Sequence, residues 1–264
     1  MSRRPFLILK IGGSLFSDKK QDWHIDTDAV RKFARLVAEL NQHAPGRMAL
    51  VVGGGSFGHG AVRRANAADR FGILDLTKAN FEQKWIWTEA LRAEGCLAIP
   101  LQLTAMCGFD GDELRVDGGV LQRALAAGVL PVLSGDCLLG LDGLLRVFGS
   151  DRVPQVLLRI VEWPVRVVAL TDTSGVFRAG TDPQVLRHVD PDLEEEVSRN
   201  VWNTSYYDTT GGMKGKLQAF FELSRQGAEC FVMKGDADDR SLLFLLDQPQ
   251  DWPAEMVYTR ICQQ

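Results

Sequence analysis

Five short apolar runs constrain this chain more than any other feature. Phe6-Leu7-Ile8-Leu9 stops at Lys10 and then at Gly12-Gly13, and Met48 to Val52 stops at Gly53. Leu130 to Leu133, Val165 to Leu170 and Cys230 to Met233 repeat the pattern. The runs are continuous, not alternating. A strand apolar at every position is buried on both faces, and such strands belong to a largely parallel sheet.

Helical spacing fills the gaps between the runs. Val30, Phe33, Val37 and Leu40 recur at that spacing after Asp28, which predicts a helix with Asp28 as its N-cap. Further helices are predicted over about 79–95, 118–127, 151–161 and 212–226. Ser150 or Asp151 would cap the helix over 151–161. Strands alternating with helices give an α/β layered domain, a three-layer αβα sandwich around a mainly parallel sheet. With 264 residues and no internal period, one large domain is expected. Residues 178–207 are polar, with Pro183, Pro191 and Glu194-Glu195-Glu196, and read as a surface excursion.

Charge and cysteine usage exclude several classes. The net charge is −4 and the basic residues are scattered, so no basic face for nucleic acid or an anionic membrane is expected. The five cysteines are odd in number and lack CxxC spacing, which predicts reduced, mostly buried thiols and a cytoplasmic protein. The apolar stretch after Pro5 is too short for a signal peptide or a membrane span and reads as a first strand.

The chemistry gathers where strands end. Ligands of parallel α/β sheets bind beyond the carboxyl ends of the strands, and the glycines stand there. Gly12-Gly13-Ser14 follows the first run, and Gly53-Gly54-Gly55-Ser56 the second. Glycine lets backbone N–H groups approach an anion closely, and a following helix adds its N-terminal partial charge. A tight turn also explains Gly12-Gly13, and both readings stand at this point. No GxxxxGK[ST] occurs, and GGGSFG fits a dinucleotide fingerprint only loosely.

Lys10, at a strand end, needs an anion or carboxylate partner, unless it snorkels to the surface. Lys19 lies in the polar Ser17-Asp18-Lys19-Lys20 turn, where spacing alone gives it no role. Lys214 and Lys216 fall in the first turn of a helix, opposed to its dipole, which makes sense if an anion sits at that end. His59 could donate to an oxyanion, serve as acid or base, or be structural. Thr171-Asp172-Thr173-Ser174-Gly175 is a turn or a ligand loop. His24, His43 and His188 lack metal-ligand spacing and no GxSxG is present, so neither a protein metal site nor a serine hydrolase is expected.

In order along the chain, Lys10-Ile11-Gly12-Gly13-Ser14, Gly53-Gly54-Gly55-Ser56-Phe57-Gly58-His59, Ser134-Gly135-Asp136, Thr171 to Val176 and Thr210 to Lys216 resemble the amino acid kinase superfamily. The Ser-Phe-Gly-His element is similar to the branch holding isopentenyl phosphate kinases and fosfomycin resistance kinases. Leu101 to Cys107, Ser150 to Pro154, Gly227 to Met233, Trp252-Pro253-Ala254 and Thr259-Arg260-Ile261 look closer to the fosfomycin kinases. Val52 stands where isopentenyl phosphate kinases usually carry histidine.

The resemblance implies ATP and Mg²⁺ as cofactors, a homodimer, and a small phosphonate or phosphate as acceptor, with fosfomycin first. It implies that Gly53, Gly54, Gly55, Ser56, Gly58, His59, Ser150 and Thr210 bind the acceptor. Gly12, Gly13, Ser14 and Gly55 would face the ATP phosphates, with Lys10, Lys214 and Lys216 neutralising them. Lys19 would stabilise the transferring phosphoryl group and Asp151 would orient the lysines. Thr171, Asp172 and Gly175 would border adenosine, and Gly211 and Gly212 would close over the site. The part to about residue 145 would bind acceptor, and 146–264 nucleotide. Magnesium would bridge ATP oxygens, and the sequence names no protein ligand for it. The alternatives are an isopentenyl phosphate kinase or related enzyme, and a non-catalytic nucleotide-sensing regulator.

Overall fold

The five apolar runs form the middle of one sheet. The computed structural model describes residues 4–18, 20–21, 23–65, 69, 71–178, 184–195, 197 and 212–263. The runs become β1 (Phe6–Ile11), β2 (Met48–Val52), β6 (Leu130–Ser134), β9 (Val165–Thr171) and β11 (Glu229–Lys234). With β3 (Ala98–Pro100), β10 (His188–Val189) and β12 (Tyr258–Ile261), they make an eight-stranded sheet ordered β10-β12-β11-β9-β1-β2-β6-β3. Every pairing is parallel except β11 with β12.

Successive side chains of a strand point to opposite faces, so each continuous run feeds two cores. Phe6, Ile8, Ala49 and Val51 enter one core; Leu7, Leu9, Leu50 and Val52 enter the other. The first core is closed by α4 (Gly119–Ala126), α5 (Pro154–Leu158) and α6 (Gly212–Arg225), through Leu121, Val156 and Phe220. The second is closed by α1 (Thr27–His43) and α3 (Leu74–Ala93), through Val30, Phe33 and Trp87. The result is the expected αβα sandwich.

Local boundaries differ from the sequence reading in instructive ways. Asp26, not Asp28, caps α1, accepting from the N–H groups of Asp28 and Ala29. Asp28 lies in the first turn, where a carboxylate still favours the dipole. α3 begins at Leu74, not near 79, and its buried positions run Leu76, Asn80, Gln83, Lys84, Trp87, Leu91. Neither Ser150 nor Asp151 caps α5, which starts at Pro154 after Val153 without a side-chain cap.

A second sheet was not legible as such. β4 (Cys107–Asp110), β5 (Glu113–Val116), β7 (Asp136–Gly140) and β8 (Leu145–Phe148) pair in the order β5-β4-β7-β8. These strands are four or five residues long, and β4, β5 and β8 are partly exposed, so they carry no long apolar run. In the 178–207 stretch, Glu194 receives Arg225 of α6 at 2.7 Å, so the described part of the excursion packs back on the domain.

Candidate active site

The register Ile11↔Val52 sets Gly12 and Gly53 side by side at the carboxyl ends of β1 and β2. The Gly53 N–H donates to the Ile11 carbonyl at 2.8 Å, and the Gly12 N–H to that of Leu170 at 2.9 Å. A Cβ added to Gly13 would lie 2.5 Å from Gly55 Cα, and one on Gly53 would lie 2.5 Å from the Gly13 nitrogen. The two loops therefore touch backbone to backbone, an approach open to glycine only. Gly55 also takes φ +51° as it starts α2 (Gly55–Arg64). The tight-turn explanation of Gly12-Gly13 holds.

Ser17 clamps the junction. Its hydroxyl donates to the Gly13 carbonyl at 2.8 Å and accepts from the Ser56 N–H at 3.0 Å. The Ser56 hydroxyl donates to the His24 carbonyl at 2.6 Å, so in this structure it braces the loop. Ser14 is exposed in the one-turn 3₁₀ segment over 13–15.

Lys10 and Lys216 meet here from opposite ends of the chain. Asp151 Oδ1 accepts from Lys10 Nζ at 2.5 Å and from Lys216 Nζ at 2.8 Å. Lys10 is 3% exposed and Lys216 9%. Burial pushes the Lys10 ammonium down to about 7; Asp151 counters this and the like charge of Lys216 adds to it. Burial also pushes the Asp151 carboxyl up, but the two lysines outweigh it and hold the group well below the usual range. Lys10 thus has the carboxylate partner its position requires, and so does Lys216 against its helix dipole. Lys214 is exposed on the first turn of α6.

Ser150, next to Asp151, belongs to a second feature. A cavity of about 50 Å³ is walled by the loop and face of α2 (Gly54, Gly58, His59, Val62), by Leu76 and Asn80 of α3, and by Gly135 and residues 147–150. His59 is 7% exposed. The proximity of Ser150 and Asp151 in the chain puts the cavity next to the lysine pair. On the other flank, Thr171 is buried at the end of β9, and a Cβ on Gly12 would stand 3.8 Å from its Cα. The loop after it is pinned by the Val176 N–H donating to Thr259 Oγ1 at 2.8 Å, with Gly175 packed on the same hydroxyl. Asp172 is exposed. Lys19, Thr210 and Gly211 lie outside the described residues, and Gly212 is the first residue of α6.

Sequence reasoning missed the polar stripe of α3. Gln83 donates to the Gly53 carbonyl, and Asn80 Nδ2 to the Gly135 carbonyl at 2.6 Å. Buried Lys84 donates to the Leu101 carbonyl and to Gln102 Oε1, both at 2.7 Å. Gln102 Nε2 donates in turn to Asp136 at 2.7 Å, whose carboxylate also accepts from Thr77 and from the Thr104 N–H. Burial lowers the Lys84 ammonium to about 8, against the pull of Asp136. The available signal was the set of amides and a lysine at the spacing of the buried helix face.

Among the described residues, no group of three or more His, Cys, Asp or Glu is placed to hold a metal ion. No described helix is long and apolar enough to cross a membrane. All five cysteines are free, four of them buried.

A mostly parallel sheet carries two touching glycine loops and a buried lysine pair at its carboxyl end. Residues 5–234 match the amino acid kinase family, and the chain belongs to that family. It is 28% identical to the isopentenyl phosphate kinase of Methanothermobacter thermautotrophicus, covering 86% of this chain and 90% of that protein. The isopentenyl phosphate kinase of Methanocaldococcus jannaschii is 24% identical over 87% and 90%. A solved isopentenyl phosphate kinase structure, 25% identical, superposes with a TM-score of 0.73 over 97% of this chain and 99% of that one. Carbamate kinase from Giardia lamblia, at 14% identity and a TM-score of 0.69 over the full length of both chains, shares the fold.

Proposed function

We propose that this chain transfers the γ-phosphoryl group of ATP to a small molecule that already carries a phosphate or phosphonate. The observation that carries the reading is the Lys10–Asp151–Lys216 cluster beside two touching glycine loops. Phosphoryl transfer demands alignment and charge stabilisation more than covalent help. An acceptor oxygen attacks the γ-phosphorus, the bond to the ADP oxygen breaks, and a phosphoanhydride forms. The attacking oxygen is already anionic, so no strong base is required.

In this reading Gly12, Gly13 and Ser14 face the β- and γ-phosphates. Lys10 and Lys216 neutralise those phosphates while Asp151 holds their ammonium groups in place. Lys214 would assist from the first turn of α6. Gly53 to Gly55, Gly58, His59 and Ser150 hold the acceptor, with His59 as a hydrogen-bond donor. Thr171, Asp172 and Gly175 border the nucleoside. Lys19 stabilises the moving phosphoryl group, and Thr210, Gly211 and Gly212 close over the site. The part to about residue 145 supplies most acceptor contacts and the remainder most nucleotide contacts. Magnesium bound to the nucleotide would offset charge on its phosphates.

Isopentenyl phosphate is the first acceptor to test, because the similar curated proteins are named for it. The apolar wall formed by Val62, Leu76, Val147 and Phe148 suits such a tail. Fosfomycin is the second reading, favoured by the small cavity, about 50 Å³, and by Val52 in the place of histidine. The reading includes a homodimer, supported by the edge position of β3, where Leu97 and Ile99 are exposed.

The test is ADP release from Mg-ATP with each acceptor. Turnover with isopentenyl phosphate supports the first reading, and turnover with fosfomycin alone supports the second. No turnover with either, in a protein that binds ATP, leaves the regulator as the better account.

A further inference from the structure

Among the described residues, Trp23 alone takes a positive φ, at +59°, without being glycine. A bulky residue avoids that region unless its surroundings hold it there. Its ring meets Phe57 of α2 edge-on at 4.8 Å, and the Arg64 guanidinium lies over it, 5.3 Å from its centre. The next residue, His24, is thereby set to reach two ways. Its carbonyl accepts from the Ser56 hydroxyl at 2.6 Å, and its Nδ1 accepts from the Asp18 N–H at 3.1 Å. A ring nitrogen that accepts carries no proton, so in this bond the imidazole is neutral with its proton on Nε2. The other bonds of Asp18 close a turn on itself. Its carboxylate accepts from the Lys20 N–H at 2.9 Å and from Gln21 Nε2 at 3.0 Å, and its carbonyl from the Gln21 N–H at 3.1 Å. The bond to His24 leads out of that turn towards the triple-glycine loop.

We propose that His24 is a positioning residue for phosphoryl transfer. Through its imidazole and its carbonyl it fixes the 18–21 turn against the Gly53–Ser56 loop, so that two segments with different tasks keep one geometry. The inference rests on the kinase reading above, in which Lys19, within that turn by sequence, stabilises the moving group and the glycine loop holds the acceptor. Alignment of donor, acceptor and stabilising cation is most of what phosphoryl transfer needs. A lysine on an unanchored turn would have to be ordered anew in each turnover, at a cost in entropy. The His24 bond removes that cost by ordering the turn in the folded protein.

Two measurements on wild type, His24→Ala and His24→Asn test it. One is hydrogen exchange of the Asp18 amide. The other is steady-state ADP release from Mg-ATP with whichever of isopentenyl phosphate and fosfomycin is turned over. Asparagine offers its Oδ1 as an acceptor near the place of Nδ1. The Asp18 amide should exchange roughly 3–10-fold more slowly in wild type than in His24→Ala, the scale of one hydrogen bond. In His24→Ala kcat should fall roughly 10–100-fold while the KM for ATP changes by less than about 2-fold, and His24→Asn should recover most of both losses. In a Lys19→Ala background, His24→Ala should cost less than about 3-fold more, since it acts through the turn. A general loss of structure would instead raise both KM values and would not depend on Lys19. An Asp18 amide that exchanges in the wild type as fast as in an unstructured peptide would overturn the inference, and that arm needs no variant to fold. So would full kcat in His24→Ala, a His24→Asn no better than His24→Ala, or losses that add in full in the double variant. No ADP release with either acceptor, with the Asp18 amide protected, would sink the kinase reading and leave the fastening of the turn by His24 standing.

Discussion

Lys10 and Lys216, 206 positions apart in the chain, share a single oxygen atom: Asp151 Oδ1 lies 2.5 Å from one ammonium and 2.8 Å from the other. Two buried cations are held together by one carboxylate. The cluster lies at the edge of the sheet, beside the two glycine loops.

Removing that carboxylate should therefore be severe. Asp151→Ala leaves two buried lysines facing each other, and breaking a buried pair costs about 3–5 kcal/mol. For a chain of this size that corresponds to a fall in Tm of roughly 6–20 °C. Added ATP should recover part of the loss, because its phosphates replace the missing anion. Thermal unfolding with and without ATP checks both halves, and an unchanged Tm would contradict the account of the cluster.

The pH dependence follows from Lys10. Its ammonium is lowered from 10.5 to about 7, chiefly by burial. The free enzyme should lose this positive charge as pH rises through about 7, so kcat/KM for ATP should fall there. Bound phosphates raise the lysine again, so kcat should hold to higher pH. Stability runs in the opposite direction. Between about 7 and 10.5 the unfolded chain binds more protons at this residue than the folded one, so its contribution to stability rises with pH. Parallel pH profiles of kcat and kcat/KM would contradict the assignment.

The contact between the glycine loops can be probed at Gly13. An alanine Cβ there would sit 2.5 Å from Gly55 Cα, with no flexible side chain to give way. Gly13→Ala should force the loops apart and damage both sites together, lowering kcat/KM for ATP and for the acceptor by about 10²-fold. An effect confined to ATP would show that the loops act independently.

Lys19 and His59 should separate kinetically. Lys19→Ala should lower kcat by roughly 10²–10³-fold with little change in ATP affinity, the scale of removing one transition-state donor. His59→Ala should act mainly on the acceptor, raising its KM. Steady-state kinetics with each substrate varied in turn distinguishes the two; unchanged turnover in Lys19→Ala would remove that residue from the chemistry.

Much of this was written in the order of residues. Continuous apolar runs fixed the parallel sheet, because a strand buried on both faces has no room for alternation. The glycines after β1 and β2 marked the strand ends, since strand ends and glycine are local properties. Lys10 declared its need for a partner, since a strand that is fully buried cannot hide a charge cheaply.

The tertiary structure decided the rest. That the partner is Asp151, shared with Lys216, depends on three segments meeting in space, and the local signal at Asp151 pointed instead to a helix cap. The roles of Asn80 and Gln83 exist only where α3 lies against the Gly53 and Gly135 carbonyls. The need for glycine at 13 and 53 became specific only when the loops were seen to touch. Sequence records what each residue can do with its neighbours in the chain. Charge pairing, amide orientation and loop contact are set by neighbours that the fold supplies.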